Sequence, residues 1–195
     1  KKVLLAAVLM GMMLTGCNQK SDNNQNEEDM NTTLTLTQEW DKTFPKSDKV
    51  DHKKVTFKNR YGIELAADMY IPKEGYKVVR SSGSEVTSPE NLKTSEPQNL
   101  FPAIAVSGPF GAIKEQCSGL YAQHMAERGF LTIAFDPSFT GESGGEPRRM
   151  ASPDINTEDF LAAVDFLSNQ ENVDAERIGI IGICGFGGMA VNAAA

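Results

Sequence analysis

The run Ile178-Gly179-Ile180-Ile181-Gly182-Ile183-Cys184-Gly185-Phe186-Gly187-Gly188-Met189-Ala190 sets a thiol where an apolar, β-branched stretch breaks on glycines and passes into helix-forming residues. It reads as strand, sharp turn and helix, with Cys184 at the turn. Unpaired N–H groups at the start of the following helix favour negative charge on the sulfur. The chemistry this suits is nucleophilic attack on a carbonyl carbon, with N–H groups receiving the developing oxyanion. The donors expected are Gly185 and, from the loop after the third strand, Phe110, because Pro109 beside it has no backbone hydrogen. Gly182, Gly185, Gly187 and Gly188 supply the small residues such a turn needs.

A sheet must hold these groups in place. Residues 50–59 and 63–71 alternate apolar and polar side chains about Arg60-Tyr61-Gly62 and predict an antiparallel pair. Residues 73–99, rich in Gly, Ser, Thr, Pro, Glu and Lys, read as a long surface excursion. Short buried strands are expected at 101–107 and 130–135. The helix between them carries Leu120, Tyr121, Ala122, Met125 and Ala126 on one face and closes at Arg128-Gly129. A second helix is expected from a cap at Thr157, with Glu158 and Asp159 in its first turn and Phe160, Leu161, Val164 and Leu167 inward. The order β, β, β, α, β, α, β is that of an α/β fold, a mostly parallel sheet with helices on its faces. Unbroken apolar runs at 130–135 and 178–183 predict strands covered on both sides. All three Gly-rich loops leave carboxyl ends of strands, where sites in such sheets form.

The 195 residues are 40% hydrophobic and 23% charged, which excludes a largely disordered chain. A net charge of −7 with no basic stripe excludes nucleic acid as a partner. The one tight basic cluster, His52, Lys53 and Lys54, reads as a solvated strand end, and Asp174 with Arg177 as a surface ion pair. No Cys or His cluster has metal-ligand spacing, so neither a metal nor another cofactor is expected. Asp136, at a strand end near the site, could orient something, though an Asp-Pro turn explains it as well; Glu142 and Ser143 belong to a turn, and His124 reads as a surface residue; none is given a catalytic role.

Lys1 and Lys2, the apolar stretch 3–14 and the sequence Leu14-Thr15-Gly16-Cys17 form a targeting segment. It resembles the lipobox of bacterial lipoproteins, and a plain signal peptide is the alternative. The resemblance implies cleavage before Cys17, a diacylglyceryl group on its thiol, and a domain held by this lipid anchor to a membrane of the bacterial cell envelope, outside the cytoplasm. Residues 18–33 are too polar to bury and read as a tether. The layout is therefore a signal segment at 1–17, a flexible tether and lead-in at 18–49, and a folded domain at 50–195. Cys117 and Cys184 are left, and in an exported protein they could pair.

Four runs taken together, Lys114-Glu115-Gln116, Phe135-Asp136-Pro137-Ser138, Thr140-Gly141-Glu142-Ser143-Gly144-Gly145 and Gly182-Ile183-Cys184-Gly185, resemble the α/β-hydrolase superfamily. Within it the chain is similar to bacterial hydrolases grouped with dienelactone hydrolases and X-Pro dipeptidyl-peptidases. Over residues 50–195 the resemblance implies a three-layer α/β-hydrolase fold as far as the fifth strand and the nucleophile elbow. It also implies hydrolysis of a small-molecule acyl substrate or peptide through an acyl-enzyme on Cys184. Phe186 departs from the pattern where the elbow wants glycine, and the next glycine is expected to compensate. The superfamily places its acid and histidine after the nucleophile. Neither His52 nor His124 does so, which puts both groups beyond Ala195 and makes these 195 residues alone inactive. Two other readings stay open: residues 185–190 match the dinucleotide pattern G-x-G-x-x-A, and the scaffold could serve a non-catalytic lipoprotein that binds a ligand or partner.

Overall fold

Val50–Lys58 (β1) and Glu64–Pro72 (β2) pair antiparallel, Val50 opposite Pro72 and Lys58 opposite Glu64. Asn59 shapes the turn between them: its side-chain oxygen accepts the N–H groups of Tyr61 and Ile63, and Gly62 takes a left-handed φ of 77°. β3 (Phe101–Ser107), α1 (Cys117–Ala126), β4 (Leu131–Phe135), α2 (Pro153–Ser168), β5 (Val173–Gly182) and α3 (Phe186–Ala194) follow in the expected order. The computed structural model describes residues 34, 36–73 and 100–195. The expected anchor at Cys17, the tether and nearly all of the excursion at 73–99 lie outside the described residues. Among the described residues, no helix is long and apolar enough to cross a membrane.

The strands form one sheet in the order β1-β2-β4-β3-β5. β3 runs parallel to β4 on one side and to β5 on the other, so the loops after Ser107, Phe135 and Gly182 leave the same edge. α2 and α3 cover one face, where Leu65, Met69, Ala105, Ile133, Phe160, Leu167 and Phe186 pack together. α1 covers the other, over Tyr70, Val106 and Ala134. The result is the three-layer arrangement expected.

Several details differ from expectation for identifiable reasons. β4 is buried along its whole length, but β5 is exposed at Ala175, Glu176 and Arg177 and only half-buried at Ile178, Ile180 and Ile181. Among the described residues β5 pairs with one strand, β3. α2 starts a turn earlier than Thr157: Ser152 caps it, its hydroxyl accepting the Ile155 N–H at 3.5 Å, and Pro153 sits in the first turn. Glu158 and Asp159 consequently turn inward and are buried. α1 buries Ser118, Gly119, Ala122, Gln123 and Ala126, while Tyr121 faces solvent. The helix lies close to its neighbours at Gly119, where a Cβ would come within 2.3 Å of the carbonyl oxygen of Lys114 in the preceding loop and 3.0 Å of the Tyr70 hydroxyl of β2. Asp174 is buried, its carboxylate accepting the Glu176 N–H at 3.1 Å, and is no surface group.

The lead-in belongs to the fold. Phe44 is buried against α1 and β2, Trp40 Nε1 donates to the Phe44 carbonyl at 2.9 Å, and Gln123 Nε2 donates to the Pro45 carbonyl at 3.1 Å. The folded unit therefore begins before Val50.

Candidate active site

Cys184 occupies the turn between β5 and α3 with a left-handed φ of 57°, and its side chain is exposed. Three backbone bonds close the turn: Ile183 N–H to the Ser107 carbonyl at 3.0 Å, Phe186 N–H to Ile183 at 3.2 Å, and Gly187 N–H to Cys184 at 3.0 Å. A non-glycine residue held left-handed costs on the order of 1 kcal/mol or more, a strain found at sites where a side chain must stand clear. Gly182 makes the tight approach possible, because a Cβ there would meet the Phe186 carbonyl oxygen at 2.3 Å and Ala190 Cβ at 2.7 Å.

Phe186 is accommodated, though not by the next glycine. A Cβ on Gly187 would have only an ordinary contact, 3.6 Å from the Gly182 oxygen, whereas one on Gly108 would lie 2.8 Å from Phe186 Cβ and 2.6 Å from the Ile183 oxygen. The facing loop supplies the room that the elbow lacks. Phe186 then points into the core, against Phe160 and the ring of Phe110.

Phe110 stands over the elbow. Its ring would lie 2.2 Å from a Cβ on Gly185, and its centroid is 4.8 Å from that of Phe186. Among the described residues, neither the Phe110 N–H nor the Gly185 N–H has a hydrogen-bond acceptor. Free backbone donors on the elbow and on the loop facing it suit an oxyanion. Cys117 is half-buried, its Sγ 3.7 Å from the Gly108 carbonyl oxygen, and the two cysteines are separate thiols rather than a disulfide.

A cleft of about 770 Å³ opens beside Phe110 and Phe186. One wall is Phe110, Gly111 and Ile113; the other is the loop after β4, with Phe139, Thr140, Gly141 and Arg149. Arg148 buckles that second loop, donating to the carbonyls of Ser143, Gly145 and Gly141. Phe139 and Arg149 are both left-handed and are joined by an Arg149 N–H to Phe139 carbonyl bond of 2.7 Å.

Behind the cleft lies a buried network of charges that the sequence reading dispersed among turns and strand ends. Asp136, fully buried, accepts the Lys114 N–H at 2.8 Å, the Lys114 ammonium at 3.0 Å and the Glu142 N–H at 2.9 Å. The Lys114 ammonium also contacts Glu115 and Glu142, and Lys54 pairs with Asp41 at 2.6 Å and Glu142 at 2.9 Å. Burial pushes the Asp136 carboxyl upward and the Lys114 ammonium opposes it. For Lys114, burial would lower the ammonium, but Asp136 and the bonds to Glu115 and Glu142 outweigh it and hold it above its ordinary range. Burial would raise Asp41, yet Lys42 and Lys54 hold its carboxyl at about 2. Asp41, Glu115 and Glu142 bring carboxylate oxygens within 4.8 Å of one another, but Lys54 reaches all three and Lys114 two, so their charge is already met.

Of the basic cluster at 52–54, Lys53 is exposed as expected, but the other two side chains turn inward. Lys54 is buried in this network, and His52 lies between the rings of Trp40 and Tyr70 with Nε2 2.8 Å from Asp68 Oδ1. His124 sits on the exposed side of α1 beside Glu127. Neither histidine is bonded to Cys184. A second buried carboxylate, Asp159, ties the start of the β4 loop to α2, accepting from the Ser138 N–H and hydroxyl, Asn59 and Asn156. The sequence signal for both carboxylates was the loop chemistry around them: an acid directly at a strand's end, and an acid three residues after an asparagine in a capped helix.

The model of the Prolyl oligopeptidase family matches residues 116–195. The chain is 57% identical over its whole length to an uncharacterized protein, PA2218, of Pseudomonas aeruginosa, of which it spans 48%. The crystal structure of that protein matches with a TM-score of 0.69 and 62% identity over 84% of this chain and 44% of that one. The thiohydrolase aneE of Aspergillus aculeatus is 37% identical over 48% of this chain and 29% of its own length. An α/β hydrolase of a Penicillium species, GrgF, matches in structure with a TM-score of 0.57 and 22% identity, over 74% of this chain and 41% of that one. The chain thus spans about half the length of its Pseudomonas relative and less of the fungal one. Strand order, three layers, elbow and neighbours agree: the chain has the α/β-hydrolase fold, from its antiparallel opening strands through the elbow at Cys184.

Proposed function

We propose that the protein is an acyl hydrolase, cleaving a carboxylic ester, thioester or amide through an acyl-enzyme on Cys184. The observation that carries this reading is an exposed, left-handed thiol on an elbow where the Gly185 N–H, like that of Phe110 on the facing loop, has no acceptor among the described residues. The sulfur attacks the carbonyl carbon, forming a C–S bond as the C=O electrons move to the oxygen, which lies on the two N–H groups. Collapse of that intermediate breaks the bond to the leaving alkoxide, thiolate or amine, which takes up a proton. Water then adds to the thioester and the sulfur leaves, releasing the carboxylic acid. The histidine and acid that move these protons belong, on this reading, to the part of the relatives' length that this chain does not span. The Prolyl oligopeptidase match supports the amide arm and the thiohydrolase likeness the thioester arm. The four runs named above support a place among the dienelactone-hydrolase-like enzymes.

The test is to trap the intermediate. The whole protein, quenched in acid during turnover of p-nitrophenyl acetate, should carry one acetyl group on the peptide containing Cys184, read by mass spectrometry. Acylation elsewhere, or turnover with no acyl-protein, would move the nucleophile off Cys184. We propose in addition that Cys17 bears the lipid that holds the domain at the cell envelope. Labelled fatty acid should enter the protein in growing cells and be lost on Cys17→Ala; equal labelling of that variant would end the anchor reading.

A further inference from the structure

Three of the four sequence runs that carry the family resemblance meet at a group to which the mechanism assigns nothing, the Asp136 carboxylate. Oδ1 accepts the Lys114 N–H at 2.8 Å, and Oδ2 accepts the Lys114 ammonium at 3.0 Å and the Glu142 N–H at 2.9 Å. Lys114 closes the loop that carries Phe110 and Ile113; Glu142 closes the turn that carries Thr140 and Gly141. These are the two opposite walls of the cleft. The fit admits nothing larger, because a Cβ on Gly141, whose φ is 56°, would lie 2.1 Å from Asp136 Oδ2. The carboxylate is fully buried at the end of β4, a strand itself buried throughout, so its base is rigid.

We propose that Asp136 is a positioning residue: both walls of the cleft hang from its carboxylate, which sets the Phe110 N–H against the elbow. This rests on the acyl-hydrolase reading. Charge-assisted bonds to backbone N–H groups are short and directional, so one carboxylate can fix two loops to a single frame. A shift of about 1 Å in an oxyanion donor is enough to lower a rate on the order of 100-fold.

The whole protein with Asp136→Asn tests it, since the amide keeps the shape but turns one acceptor into a donor. Two quantities are measured separately: the amplitude of the urea-unfolding transition counts folded protein, and single-turnover release of p-nitrophenol with the protein in excess reads acylation per site. The expected result is an amplitude close to wild type with acylation slowed about 100-fold. Gly141→Ala approaches from the other side, pushing the turn off an intact carboxylate, and should slow acylation in the same way. Thr132→Val, which removes a buried hydroxyl bond from the same strand to Ala122 at 2.9 Å, supplies a loss of stability with no loop contact and should keep its rate per site. Hydrogen exchange gives a readout independent of turnover: amides of 108–116 and 140–145 should exchange faster in Asp136→Asn and Gly141→Ala, while those of β3 and β4 stay protected. A rate per site equal to wild type, or loop exchange unchanged in both variants, overturns the proposal. Absence of any p-nitrophenol release from the wild type would overturn the hydrolase reading, and the exchange pattern would then decide the positioning role alone.

Discussion

Cys184→Ala in the whole protein is expected to lower kcat/KM for esters and thioesters by at least about 10³-fold while leaving the denaturant midpoint where it was. The second half of that statement makes the first informative. The Cys184 side chain is exposed, and its left-handed φ of 57° is as uncomfortable for alanine as for cysteine. Removing the sulfur therefore takes away reactivity and almost no packing. Cys184→Gly sharpens the argument. Glycine accepts that backbone conformation freely, so the variant should be more stable than wild type by roughly 1 kcal/mol and equally inactive. A site that becomes more stable as it loses its chemistry is one where strain is held for function. If Cys184→Ala kept more than about a tenth of the activity, the sulfur would have no place in the mechanism, and the scaffold would be better read as a ligand-binding protein.

The order of elements along the chain and the elbow were legible because each is written locally. Residues 101–107 and 131–135 are short apolar runs bounded by glycine or proline, and Cys184 stands in a run of glycines that few other structures require. What was misread depended on partners far away in the chain. Ile178, Ile180 and Ile181 look like a strand covered on both sides, and they are half-buried in a chain that spans about half the length of its Pseudomonas relative. Glu158 and Asp159 look like the acidic first turn of a helix, and the true start, Ser152 followed by Pro153, was equally visible. Asp159 is needed inside to receive Ser138, Asn59 and Asn156, three groups that only the fold assembles. Lys54, Lys114, Asp136 and Glu142 span 88 positions between the first and the last, and no spacing rule links a lysine on β1 to a turn after β4. For the same reason Gly108, on the loop after β3, could not be foreseen as the residue that makes room for Phe186.

The largest loss of stability is expected from Lys114→Met. Breaking a buried ion pair by removing one partner leaves the other charge without compensation, at a cost of about 3–5 kcal/mol. Lys114 is fully buried and serves Asp136, Glu115 and Glu142 at once. Lys54 can answer for part of the loss, since its ammonium is already 2.9 Å from Glu142 and 3.8 Å from Glu115. It forms no ion pair with Asp136, so that carboxylate keeps only its two backbone donors. The penalty should consequently depend on pH in a definite direction. In the wild type the ammonium is held above its ordinary range, so it stays charged from neutral into acid pH and loses that charge only in alkali. In Lys114→Met, protonation is the remaining way to neutralise Asp136, whose carboxyl burial already pushes upward. The difference between the two proteins should shrink as pH is lowered from about 8 to about 5, where the variant's carboxylates begin to take up protons. Urea unfolding of both proteins across that range measures it. A penalty below about 1 kcal/mol, or one that does not change with pH, would mean that these charges are solvated rather than buried, and that the loops they join are held by something else.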